Sequence, residues 1–107
     1  MKIAVDYDQG SIAKKFMRTG DVRIYDFRNK KLIYASTTTP LRKWRTDWAG
    51  FLESEGVSVL ICWEVPENLR DEFKRKGIRL CEGVSGSPDE AVRLFLQGRL
   101  DANPAAE

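Results

Sequence analysis

Residues 2–7 are mostly apolar until they meet Asp6, the pattern of a short buried strand that surfaces on acids. Residues 8–20 break that pattern: Gly10 and Gly20 bracket Ser11, Lys14, Lys15, Phe16 and Arg18, which predicts a functional loop. Residues 22–27 and 32–37 are β-rich and flank the polar Arg28-Asn29-Lys30-Lys31, a hairpin whose cross-strand pairs would come from Tyr25, Phe27, Ile33 and Tyr34. From Thr39-Pro40, suited to N-cap and first helical position, Leu41, Trp44, Trp48, Phe51 and Leu52 recur at helical spacing until Gly56. Residues 57–62 are nearly all apolar, as a parallel strand covered on both faces should be. Pro66 opens a second helix with Leu69 and Phe73 on one face and Lys74-Arg75-Lys76-Gly77 at its end. Residues 78–81 predict a fifth strand. Ser87-Pro88-Asp89-Glu90 has the form of a capping box with proline at its first helical position, and starts a helix burying Ala91, Val92, Phe95 and Leu96 up to Gly98.

The order β-β-β-α-β-α-β-α constrains the topology. An antiparallel meander followed by two right-handed crossovers places the fourth strand beside the first and the fifth beyond it. The expected fold is α/β and ribonuclease H-like: a five-stranded mixed sheet of order 3-2-1-4-5, strand 2 antiparallel, with about three helices on its faces. Residues 1–100 are expected to form one domain and residues 101–107 a flexible tail.

Composition narrows the chemistry. The 107 residues include 18 Lys and Arg against 16 Asp and Glu, and no His. Without imidazole there is no Ser-His-Asp triad, no Cys-His dyad and no histidine metal site, so carboxylate, Lys, Tyr or Cys chemistry remains. Cys62 and Cys81 are too few for a secreted disulfide framework and imply a reducing compartment. No apolar run approaches the roughly 20 residues that span a bilayer, and the N-terminus meets Asp6 too early for a signal peptide, so a cytoplasmic location without membrane contact is expected.

The run Phe16-Met17-Arg18-Thr19-Gly20-Asp21-Val22-Arg23-Ile24-Tyr25-Asp26 resembles the segment of the dinitrogenase iron-molybdenum cofactor biosynthesis family in which His-Phe-Gly-Arg leads into an Ile-Tyr-Asp strand. Further similarity lies in Gly56-Val57-Ser58-Val59-Leu60-Ile61-Cys62, in Gly77-Ile78-Arg79-Leu80, in Gly83-Val84-Ser85-Gly86-Ser87-Pro88-Asp89-Glu90-Ala91-Val92 and in Gly98-Arg99-Leu100. The resemblance implies a ribonuclease H-like fold and a non-catalytic carrier or accessory protein for an iron-molybdenum-type or other metal-sulfur cluster. The family's His falls on Lys15 and its following Gly on Met17. Its glycine-rich stretch after the fourth strand is here Trp63-Glu64-Val65-Pro66, and its loop before the first long helix is Arg42-Lys43-Trp44-Arg45-Thr46-Asp47-Trp48. Glycines after the fourth strand would let a cluster approach the backbone, whereas Trp63, with its ring buried, would fill that space. A divergent member with an altered ligand site is therefore expected.

Three constellations carry candidate chemistry. Asp6, Asp8 and Asp26, with Glu64, Asp89 and Glu90, are the carboxylates available to a two-metal nuclease, against the plainer reading as strand-end acids and helix caps. Cys62 and Cys81 end two neighbouring strands at the edge where open α/β sheets bind ligands, and could serve as soft metal donors or as small buried hydrophobes. Arg42, Lys43 and Arg45 around Trp44 and Trp48 could face nucleic acid, although the i, i+4 tryptophans read more simply as a core stripe. The expected site is the rim formed by residues 8–18, 62–68 and 83–87, with Lys15 and Arg18 on an anionic ligand, Cys62 as a soft donor, Trp63 in the vacated space, and Ser85 and Ser87 at the mouth of the last helix. The alternatives are a ribonuclease H-like nuclease and a protein or nucleic-acid interaction module, nucleic acid being the less favoured partner.

Overall fold

A computed structural model describes residues 1–41 and 46–100. Along the chain run β1 (Lys2–Asp8), β2 (Ser11–Ile12), β3 (Asp21–Arg28), β4 (Lys31–Thr38), α1 (Trp48–Ser54), β5 (Val57–Ile61), α2 (Glu67–Arg75), β6 (Arg79–Cys81) and α3 (Pro88–Leu96). The sheet has six strands, one more than expected, in the order β4-β3-β1-β5-β6 with β2 paired to β1. The additional strand lies inside the segment read as loop, where Gln9 and Gly10, at φ 47° and 91°, turn the chain so that Tyr7 faces Ile12 and Asp8 faces Ser11. Numbering therefore departs from 3-2-1-4-5, although the five longer strands occupy the places that the crossover rules assign them. β3 is antiparallel to β1 and β4, and β1, β5 and β6 run parallel.

Alternation along β1 divides the core. Ala4 packs on one face with Trp48, Leu52, Leu60 and Phe73 under α1 and α2. Ile3 and Val5 pack on the other with Val59, Ile61, Ala91 and Val92 under α3. One expectation about local pairing needs correction. The β3–β4 register steps from Asp26 opposite Tyr34 to Phe27 opposite Leu32, leaving Ile33 as the extra residue of a bulge, so Tyr25 faces Ala35 and the aromatic pairing across the hairpin does not form. The rings of Tyr25 and Phe27 stack along their own strand instead, 6.3 Å apart.

The first helix starts later than Thr39-Pro40. Its N-cap is Asp47, whose Oδ1 accepts the Gly50 N–H at 2.9 Å, while the Thr39 hydroxyl donates to Asp21 at 2.5 Å. Arg42, Lys43, Trp44 and Arg45, read as a basic and aromatic surface, lie outside the described residues, as does the expected tail 101–107. Trp48 is buried, in keeping with a core stripe. Ser87 caps α3 by accepting the Glu90 N–H at 3.2 Å, but the Glu90 carboxylate turns to Arg93, so only half of the capping box forms. Among the described residues no helix is long and apolar enough to cross a membrane.

Candidate functional site

The C-terminal ends of β1 and β5 meet the chain after β6 in one hydrogen-bonded rim. Cys62 N–H donates to the Cys81 carbonyl at 2.9 Å, Val84 N–H to Cys62 at 3.1 Å, and Gly83 N–H to Trp63 at 2.8 Å. Ile12 N–H donates to Gly86 at 2.9 Å, tying β2 to the segment that opens α3. Residues 8–18, 62–68 and 83–87 thus share one edge.

Its central residue is Asp6. Continuing the alternation of β1, it falls on the side of Ala4, and it is fully buried. Asp6 Oδ2 accepts the Met17 N–H at 2.8 Å, whereas Oδ1 has no hydrogen-bond partner. Burial pushes this carboxyl up to about 7, the Met17 N–H draws it back down, and the negative charges of Asp8 and Glu64 raise it further. The bond fixes the loop between β2 and β3. Met17 sits at φ 50°, a left-handed conformation that favours glycine, which is the residue the resembled motif carries there. Its side chain is nonetheless buried, so packing and the Asp6 bond together hold a strained backbone. Arg18 N–H closes onto the Lys15 carbonyl at 3.2 Å, Gly20 N–H onto Met17 at 3.1 Å, and Thr19 Oγ1 donates to the Tyr7 carbonyl at 2.7 Å. Lys15 and Arg18 therefore project from a constrained turn, both exposed, and neither joins an ion pair among the described residues. Phe16, between them, meets Phe73 of α2 edge to face at 6.1 Å.

Cys62 and Cys81 are both fully buried, and they belong to opposite faces: Cys62 packs with Met17 and Val65, Cys81 with Ile3 and Val84. Burial pushes the Cys62 thiol well above its ordinary range, reinforced by Asp6, Glu82 and Cys81; burial also raises Cys81, against the pull of Arg79. A pair of thiolate donors is not what this arrangement presents. Trp63 is 45% exposed, so its ring lies at the surface and does not plug the space expected of it. Ser85 and Ser87 are exposed and line a hollow of about 280 Å³ with Gly83, Val84, Ala91 and Leu94.

The nuclease set does not assemble. Asp26 lies opposite Lys2 and Asp6 lies opposite Val22, so Asp26 is four residues back along β1, about 13 Å at the rise of a strand. Asp89 accepts the Tyr25 hydroxyl at 2.5 Å, and Arg23 lies 3.9 Å from the same carboxylate while donating to Tyr25 Oη at 3.1 Å. Burial, then Asp89, pushes the Tyr25 hydroxyl up to about 12, with Arg23 opposing. Among the described residues no three of His, Cys, Asp and Glu gather as a metal-binding group. Sequence reading missed this Tyr25–Asp89 link because its partners stand 64 residues apart.

Residues 1–98 match the sequence model of the family described as dinitrogenase iron-molybdenum cofactor. The chain belongs to that family. An uncharacterized protein of Methanocaldococcus jannaschii is 26% identical to this family member over 106 residues, covering 94% of this chain and 90% of its own. The fold is similar to the crystal structure of a candidate dinitrogenase of the same organism, with TM-score 0.79 and 20% identity over 94% of this chain and 92% of that one. It is also similar to the apo form of the orange protein from Desulfovibrio gigas, with TM-score 0.73 and 18% identity over 92% and 89% of the two chains.

Proposed function

We propose that this family member is a carrier or accessory protein, without a catalytic step of its own, that receives an anionic ligand on the rim. The observation that carries the reading is the Lys15–Arg18 turn, which holds two exposed cations on a loop anchored to a buried carboxylate. A guanidinium fork and an ammonium suit an oxyanion such as molybdate or phosphate. The donor set fits a metal-sulfur cluster poorly, since the thiols are buried, protonated and on opposite faces, so any metal would arrive as an oxyanion cargo rather than through thiolate bonds. The ribonuclease H-like order of the longer strands is read as kinship of architecture, which brings no hydrolysis with it. A reducing, cytoplasmic setting is part of the same reading, supported by two free cysteines that the sheet keeps apart.

Titration with molybdate, phosphate and a nucleotide at low and high salt tests it. Binding should weaken steeply with salt, because exposed charges are screened over about 8 to 10 Å at ordinary ionic strength. Lys15→Ala with Arg18→Ala should abolish it without shifting the unfolding midpoint. A stoichiometric metal-sulfur cluster that survives high salt and is lost in Cys62→Ser would establish the soft-donor reading in its place.

A further inference from the structure

Among the described residues nothing covers the β4 edge of the sheet. β4 has eight residues and pairs with β3 on one side; among the described residues nothing pairs with the other. A bare edge offers a row of N–H and C=O groups to any extended chain, and proteins normally shorten, charge or cover such edges. β6, at the opposite edge, is only three residues long. On β4, by contrast, Leu32, Ile33 and Tyr34 are 53%, 57% and 63% exposed. Beside them a groove of about 380 Å³ runs between the hairpin and α3, its lining including the apolar Phe27, Leu32 and Leu96 together with the charged Arg23, Asp89 and Arg93. A second groove of about 620 Å³ shares Phe27 and Leu96 and reaches Arg28 and Lys30 at the turn.

Charge selects the occupant. Arg28, Lys30 and Lys31 are exposed and join no ion pair among the described residues. A second copy paired antiparallel through β4 would set Lys31 near Thr38, with Asp21 already accepting from Thr39, and would leave the three cations uncompensated. Parallel pairing of two copies would bring the cationic ends together. Lysine at an edge opposes self-pairing and invites an acidic strand.

We propose that β4 is the docking edge for an extended, acidic and apolar segment of a partner protein, which adds to the sheet as a further strand. Backbone ladder bonds supply affinity, alternate apolar side chains enter the groove beside α3, and carboxylates meet Arg28, Lys30 and Lys31. The hairpin turn lies at the opposite end of the sheet from the rim, because β3 begins beside Tyr7 and ends beside the first residues of β1. A partner could therefore dock while the rim is engaged, and the inference does not depend on what the rim binds.

The test uses the full chain and a capped, fluorescently tagged peptide alternating valine with glutamate. Anisotropy should show salt-sensitive binding, and amide NMR shifts should concentrate in β4. The double variant Lys30→Glu/Lys31→Glu, at exposed positions, should bind at least about tenfold more weakly, equivalent to about 1.4 kcal/mol. A peptide with a central proline should lose binding because it lacks a ladder donor. Equal binding of a valine–lysine peptide, no binding up to about 1 mM, or β4 shifts that follow protein concentration alone and accompany a dimer in sedimentation would each overturn the proposal.

Discussion

Asp6 gives one carboxylate oxygen to the Met17 N–H and leaves the other without a partner, out of solvent, so its ionisation is coupled to folding. The unfolded chain releases this proton near the ordinary value of 3.8 and the folded chain at about 7. Between those values the folded state holds the extra proton, so this contribution to stability is complete in acid, declines as pH rises through the window and is level above it. Asp6→Asn keeps a carbonyl for the Met17 N–H and removes the charge. Its unfolding free energy should therefore gain on the parent between pH 4 and pH 8, by up to about 4 kcal/mol, because each pH step of one across that window costs the parent about 1.4 kcal/mol. Denaturant unfolding of both proteins at the two pH values measures the gain; a difference that does not change with pH would show a carboxylate ionised throughout. The sequence marks Asp6 as an acid in an apolar strand, but only the folded sheet, where it lies opposite Val22 of β3 and on the side of Ala4, shows that it is buried.

Elements were legible in proportion to the length of their pattern. β5 and α3 could be read because an apolar run, or a cap followed by a periodic face, leaves few alternatives. β2 could not, since two residues carry no periodicity, and its turn shows in the sequence only as Gln9-Gly10. The start of α1 is not legible, because Thr39-Pro40 has the better cap signature while Asp47 is the residue that caps. Gly50 belongs to that cap: a Cβ built there would lie 2.2 Å from Asp47 Oδ2. Gly50→Ala alone should thus bring two opposed effects of about 1 kcal/mol each, a gain in helix propensity and the loss of the displaced cap. Asp47→Ala should cost about 1 kcal/mol. With that cap already gone, Gly50→Ala should stabilise by about 1 kcal/mol. A double-mutant cycle measures the coupling, and strict additivity would mean that the alanine methyl leaves the Asp47 cap undisturbed.

Across the whole molecule the sheet separates what the chain brings to the rim. The rim's three segments were legible because strand ends follow from element order; the divergence of Cys62 from Cys81 was not, because which face a side chain takes depends on register. Both thiols are fully enclosed, one under α2 with Phe73 and the other under α3 with Val92. Each must await an opening of its own face before a reagent can reach it. If the two faces open together, as in a small cooperative domain, both cysteines should react with an alkylating reagent at one slow rate that tracks global unfolding. Mass spectrometry of partly alkylated native protein, followed peptide by peptide, resolves the two rates. Met17 and Val65 are the rim residues that share a cluster with Cys62, so release of the Asp6–Met17 bond would expose that face first. Asp6→Ala should therefore speed Cys62 modification more than Cys81 modification, and equal acceleration would show that Asp6 stabilises the fold as a whole rather than the rim.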